Sequence, residues 1–187
     1  GPNEVRVKLK ASALNRRDYW ITIGMYPGMT YPVIAGSDGA GIVDNVGANA
    51  DKSLLGREVV VYPAREWGDN PVHFGREFRV LGMPDQGTFA EYICAPANDV
   101  YARPAHLTWE QSAAVPLAGL TSGRAVVTQA EVKKGYKVLV TAAGSGVSVM
   151  RIQLCKMVGA RVIASPSSAA KVPRARGRGA AAVVLSS

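Results

Sequence analysis

Apolar and polar positions alternate through the first hundred residues and then settle into a longer period. Val5, Val7 and Leu9 alternate with Glu4, Arg6, Lys8 and Lys10, which predicts a half-buried strand. Gly41-Ile42-Val43-Asp44-Asn45-Val46-Gly47 reads as a second strand set between glycines. Glu58-Val59-Val60-Val61-Tyr62 is a third, stopped by Pro63, and Phe89-Ala90-Glu91-Tyr92-Ile93 alternates as a fourth. Between the last two, residues 64–87 are rich in glycine, proline and charge, with Trp67 and Phe78 to pin the loop. Short strands separated by Gly and Pro turns predict a barrel-like β domain.

The period then lengthens. Thr108 followed by Gln111 is a capping-box signature, so a helix is predicted from Trp109. Pro116 should interrupt it, with a second helix from about Leu120 towards Gln129. A strand at 138–142, a helix at 147–158 and a strand at 161–164 follow. Met150, Leu154, Met157 and Val158 share one face of that helix, and Gly159 is a natural stop. After Ser168 the helical pattern is poor, because Pro173 and Gly177 both fall inside it and each disfavours a helix interior. Ala182-Val183-Val184-Leu185 reads as a last strand. The order β-α-β-α-β is half of a doubly wound nucleotide-binding sheet. The fold class is therefore α/β with a separate β-rich domain, divided into residues 1–115 and 116–187.

The turn after the 138–142 strand carries the chemistry. Gly144-Ser145-Gly146-Val147 joins strand to helix, and small residues there let backbone N–H groups reach a phosphate aimed by the helix N-terminus. Such a G-x-G is weak alone; the strand before it, the helix after it and the second strand on schedule supply its context. Ser148 stands where a third glycine would allow close packing, so some loosening is expected. An NAD site wants an acidic residue roughly 20 positions past the turn to hold the ribose 2′-hydroxyl. The segment instead reads Ala164-Ser165-Pro166-Ser167-Ser168, then Lys171. Ser165, Ser167, Ser168 and Lys171 suit a 2′-phosphate, so NADP(H) is the expected cofactor. The other reading is an ordinary strand-to-helix loop with a serine cap.

Composition narrows the picture without redirecting it. The chain has 187 residues, 48% hydrophobic and 19% charged, which is globular and enough for one large or two small domains. No apolar run is long enough to span a bilayer, and no signal peptide pattern opens the sequence. Only Cys94 and Cys155 carry thiols, so a disulfide framework is not expected; a cytoplasmic location, or an organelle matrix, fits better. The net charge of +8 reads as a solvated basic surface or as attraction to phosphate-bearing ligands. Nucleic acid is disfavoured, because no aromatic residues interleave with Lys171, Arg174, Arg176 and Arg178.

Four further blocks lie upstream of Ala142-Ala143-Gly144-Ser145-Gly146-Val147. They are Ala13-Leu14-Asn15-Arg16-Arg17-Asp18, Ala35-Gly36-Ser37-Asp38-Gly39-Ala40-Gly41, Gly87-Thr88-Phe89-Ala90-Glu91-Tyr92 and Pro116-Leu117-Ala118-Gly119-Leu120-Thr121. In that order they resemble the medium-chain dehydrogenase/reductase superfamily on its zinc-lacking, quinone-reductase-like side. The resemblance covers nearly the whole chain. It implies a GroES-like barrel, a Rossmann domain, NADPH bound between them, and hydride transfer to a quinone, enone or related activated C=C. Asn15 falls where the family places a polar residue near the nicotinamide, and Thr121 where it contacts the cofactor. Tyr26, in Gly24-Met25-Tyr26-Pro27, matches by spacing the proton-donating tyrosine of related enoyl-thioester reductases; many members keep an aromatic there for packing alone. Asp38 reads either as a group supporting the site from behind or as a turn residue between Ser37 and Gly39, and the turn residue is the expectation. Zinc-containing relatives hold their catalytic metal at the positions of Asn15, Ser37 and Ala118, and a structural zinc on four cysteines in a lobe matching 64–87. Neither set is competent here, so no zinc is expected. His73 and His106 read as isolated, ordinary histidines. Family chains are nearly twice as long, so the resemblance also implies an incomplete chain that lacks an opening hairpin and the second half of the sheet. The expected partners are a small-molecule substrate and a second copy or a completing chain. The alternative is a non-catalytic truncated reductase that acts as a binding protein.

Overall fold

The computed structural model describes residues 1–185, which form two compact units, Gly1–Leu117 and a second beginning at Ala118. In the first, β1 (Glu4–Ala13), β2 (Asp38–Val46), β3 (Glu58–Val61), β6 (Tyr92–Pro96) and β7 (Val100–Ala102) make a curled antiparallel sheet. Its order is β6-β1-β2-β3-β7. A hairpin of β4 (Ala64–Arg65) and β5 (Arg79–Val80) stands apart, and α1 (Arg16–Thr22) follows β1. Alternation does the work: Val5, Val7, Val43, Val59, Val61, Ile93 and Ala95 point inward and pack with Leu81 and Val100. The same alternation puts Tyr92 and Cys94 outside.

The fourth strand starts three residues later than its pattern suggests, at Tyr92. Residues 87–89 are drawn off by backbone bonds to Ile34, Gly36 and Ala35 (2.7, 2.9 and 3.0 Å), which holds Phe89 out of the sheet. The loop after β4 is closed by Trp67 against Phe78, ring centroids 5.2 Å apart, with Phe74 completing the cluster.

In α2 (Trp109–Ala113), Thr108 and Gln111 form the expected capping box, with Thr108 Oγ1 accepting from Gln111 N at 3.2 Å. The helical run breaks just before Pro116, but the second helix begins earlier than expected, at Pro116. That proline opens α3 (Pro116–Gly123), where its missing N–H costs nothing, and the helix continues as a π-helical stretch over Arg124–Gln129.

The second unit contains β8 (Lys137–Thr141), α4 (Gly146–Met157), β9 (Arg161–Ser165), α5 (Val172–Gly177) and β10 (Ala182–Val183), a parallel sheet in the order β10-β9-β8. Its core joins Val140, Val162 and Ala164 of the sheet to Ile152 and Cys155 of α4, Ala175 of α5 and Val126. The expected apolar face of α4 is not the buried one. Ser148, Ile152 and Cys155 face the sheet, whereas Met157 is 76% exposed. The shorter side chains of the buried stripe let helix and sheet approach closely. Gly159 ends α4 with φ +82°, as a left-handed C-terminal residue should. The helix after Ser168 is also better formed than its composition suggests. Pro173 sits in its first turn and Gly177 is its last residue, positions that both tolerate. Among the described residues no helix is long and apolar enough to cross a membrane.

Candidate functional site

In the first unit the site grows from the end of β1, the start of β2 and the helix between them. Asn15 caps α1, and Asp18 reaches back to accept its N–H at 2.7 Å. Asp18 is buried and also accepts from Gly36 N at 3.3 Å. Asn15 Nδ2 donates to Asp38 Oδ2 at 2.8 Å, and Leu117 N donates to Asp38 Oδ1 at 2.7 Å. Asp38 is therefore not a turn residue. It opens β2, is 1% exposed, and also holds Thr88 Oγ1 on its backbone oxygen at 2.7 Å. Burial pushes its carboxyl up to about 6, and the Asp18 charge adds to that; the Asn15 and Leu117 bonds and Arg17 oppose it.

Arg17 organises the other side of this cluster. Its Nη1 donates to Ser37 Oγ at 2.5 Å and to Leu81 O, and its Nη2 donates to Met83 O at 2.8 Å. Its Nε donates to Tyr26 Oη at 3.4 Å, with the guanidinium carbon 5.0 Å from the ring centre. Asn15 and Tyr26 thus enter through Asp38, which the sequence reads as a turn residue, and Arg17, which it passes over. Their one signal was membership of the blocks around Asn15 and Ser37.

The positions where zinc-containing relatives hold metal do not fit zinc. The Asn15 amide is committed as a donor to Asp38. Ser37 Oγ is engaged by Arg17 and donates to Leu81 O at 2.7 Å, and Ala118 offers only a methyl group. Among the described residues no group of three or more His, Cys, Asp or Glu could hold a metal. His73 bonds locally to Asn70 and Phe74.

The second unit carries the glycine turn. β8 ends at Thr141, Ala142 takes φ +49°, and Ser145 caps α4, accepting from Ser148 N at 3.2 Å. The first N–H groups of a helix have no partner within it, and those of Gly146 and Val147 stand at that end of α4. Ser148 does not loosen the packing as expected. It is buried, and its Oγ donates to Thr141 O at 2.9 Å, tying helix to strand where a third glycine would only have allowed approach. Ser148→Ala is expected to lower unfolding free energy by about 1 kcal/mol, read by denaturant titration; no change would mean that the bond is idle.

Lys171 lies over the turn. A Cβ placed on Gly144 would sit 2.7 Å from Lys171 Cδ, and Lys171 Nζ donates to Ser167 Oγ at 2.9 Å. Ser165 closes β9, and Ser168 caps the turn before α5 without a side-chain bond. The structure therefore gathers Gly144, Ser167 and Lys171 and keeps Ser165 and Ser168 beside them in the chain. Thr121 lies on α3.

Residues 1–105 match the alcohol dehydrogenase GroES-like domain family. The chain is 34% identical to "Zinc-type alcohol dehydrogenase-like protein YogA" of Leptosphaeria maculans, over 98% of this chain and 54% of that protein. It is 33% identical to "Trans-enoyl reductase tndF" of Aspergillus flavipes, over 89% and 48% respectively. A crystal structure of an NAD-dependent alcohol dehydrogenase superposes with a TM-score of 0.90 at 41% identity, over 99% of this chain and 56% of that one. The chain spans about half the length of these relatives. Barrel, glycine turn and parallel sheet, in this order and with these matches, place the chain in the medium-chain dehydrogenase/reductase superfamily, to which it belongs through its alcohol dehydrogenase GroES-like domain.

Proposed function

We propose that this chain belongs to an NADPH-dependent, zinc-independent oxidoreductase that reduces an activated C=C, as in an enone or enoyl thioester, or a quinone. The observation that carries the cofactor reading is Lys171 held on Ser167 directly over Gly144. No aspartate or glutamate follows Glu131 in the sequence, so the second unit offers no carboxylate past the turn to a ribose 2′-hydroxyl. It offers lysines and arginines instead, which draw in phosphate. Gly144, Ser145, Gly146 and Val147 would cradle the pyrophosphate, and Ser165, Ser167, Ser168 and Lys171 would hold the 2′-phosphate. Asn15 and Thr121 would contact the nicotinamide half. The bound cofactor supplies a hydride. Tyr26 supplies the proton from its phenol, and Asp38 keeps the Asn15 amide in one orientation.

The name of the NAD-dependent structural relative pulls the other way, which makes cofactor choice the deciding measurement. Calorimetric titration should give tighter binding of NADPH than of NADH. Lys171→Glu should cut that preference at least tenfold, since it replaces a charge-assisted bond by repulsion. Equal affinities, or a preference that survives the substitution, would overturn the pocket reading.

A second reading, binding without turnover, is favoured by the sheet. Among the described residues β8 has one unpaired edge, and its Leu139 is 61% exposed. In that reading a second copy or another chain completes the sheet. Turnover of a small enone by the chain alone would remove it.

A further inference from the structure

We infer that Arg17 is the positioning residue that makes Tyr26 a proton donor; this rests on the reading in which Tyr26 protonates the substrate. Other well-covered arginines in this unit face carboxylates. Arg65 pairs with Asp85 and Asp99, at 3.4 and 3.2 Å, and Arg103 pairs with Glu58 at 2.6 Å. Half-buried Arg17 is different. Every hydrogen bond it makes among the described residues goes to a neutral oxygen: Ser37 Oγ, Leu81 O, Met83 O and Tyr26 Oη. Its charge is thus fixed in place without being cancelled by an ion pair.

The geometry decides what this does to the phenol. Three of the four bonds anchor the guanidinium on the backbone of Leu81 and Met83 and on Ser37, and the fourth aims Nε at Tyr26. A guanidinium only donates, so the Tyr26 oxygen must accept from it. The phenol proton is then turned elsewhere, and among the described residues it has no acceptor. Stacking of the guanidinium 5.0 Å from the ring centre holds the ring itself. Tyr26 therefore presents a free O–H beside a fixed cation. In the reaction that O–H bond breaks and the proton goes to the substrate carbon adjacent to the carbonyl. The bound cofactor would supply the hydride, with its two electrons, to the other alkene carbon. The phenolate left behind accepts the Arg17 N–H more strongly and regains its proton from water.

The test is a double-mutant cycle on the intact protein with Arg17→Met, Arg17→Lys and Tyr26→Phe. With NADPH and a small enone, Arg17→Met should lower kcat by about 10- to 100-fold and leave the KM for NADPH within about twofold. Made in Tyr26→Phe, the same change should lower kcat by less than about threefold, because the residue it acts through is gone. Arg17→Lys should restore part of the loss: it keeps the charge but cannot fork to Leu81, Met83 and Tyr26 together. Equal losses in both backgrounds would overturn the proposal.

A second readout does not need turnover. With ¹³C-labelled tyrosine, the Tyr26 ring signal, assigned by its absence in Tyr26→Phe, should move in Arg17→Met and return towards its place in Arg17→Lys. An unmoved signal overturns the coupling, whatever the activity. A signal that moves in a protein without turnover supports the coupling and removes the reductase reading instead. If Arg17→Met fails to fold, Arg17→Lys against Tyr26→Phe carries the same comparison.

Discussion

Alanine at Gly87 is expected to cost the first unit most of its stability. A Cβ there would lie 2.2 Å from Gly36 O and 2.4 Å from Ala35 O, both backbone atoms that no rotamer change can move. The two segments are held together by three bonds: Gly87 N to Ile34 O, Thr88 N to Gly36 O and Phe89 N to Ala35 O. Making room for a methyl group separates them and loses those bonds in a buried place. Overpacking plus two or three broken bonds amounts to about 3–5 kcal/mol, a large part of what a domain this size has to lose. The displaced segment leads straight into Ser37 and Asp38, so the Arg17 and Asn15 bonds should fail with it. Denaturant unfolding would read the loss. Gly123→Ala is the control, since nothing lies within 4 Å of a Cβ there and the residue is helical. A Gly87→Ala protein as stable as the control would show that the close approach is not required.

The second large effect concerns Asp38 and pH. Its carboxyl is raised from the ordinary aspartate range up to about 6 by burial. A carboxyl whose folded value is raised binds its proton more tightly in the native state than in the unfolded chain. Its contribution is therefore fully present below about pH 4 and is lost as pH rises through about 6. A displacement of about two units corresponds to about 3 kcal/mol of native-state stability given up between those values. Half-buried Asp44 and exposed Asp51, whose carboxyls are held low by Arg6 and by Ser53 respectively, act in the opposite direction and mask this in a single curve. The comparison must then be with Asp38→Asn, which keeps one acceptor oxygen and cannot ionise. Relative to that variant, wild type should lose about 3 kcal/mol from pH 4 to pH 7.5, read as diverging denaturant midpoints. Parallel profiles would mean that Asp38 is ionised throughout, stabilised by the Asn15 and Leu117 bonds more than burial penalises it.

Much of the fold was legible along the chain because alternation and turn chemistry are local. Val5, Val7 and Leu9 could satisfy only one side of a sheet, and Thr108 with Gln111 could only begin a helix. The errors have a common origin. Pro173 was read as a helix breaker, and the helix after Pro116 was started too late, because a proline's effect depends on where the helix begins, and packing sets that beginning. The buried face of α4 was misread because Met150, Leu154 and Met157 outscore Ser148, Ile152 and Cys155 in apolar volume. Close contact with the sheet selects for short side chains.

The sites divide in the same way. The glycine turn, its serines and Lys171 lie within one strand–turn–helix–strand–turn run, so sequence alone marked them. The roles of Asp38 and Arg17 were invisible there, since each is defined by partners far along the chain: Leu117 for Asp38, Leu81 and Met83 for Arg17. The sequence by itself determined the order of elements and the glycine turn between β8 and α4, because periodicity and residue type are properties of neighbours. Only the tertiary structure decided which carboxyl is buried and which arginine is held by neutral oxygens rather than by a direct ion pair. Burial and pairing are properties of what the folded chain brings together.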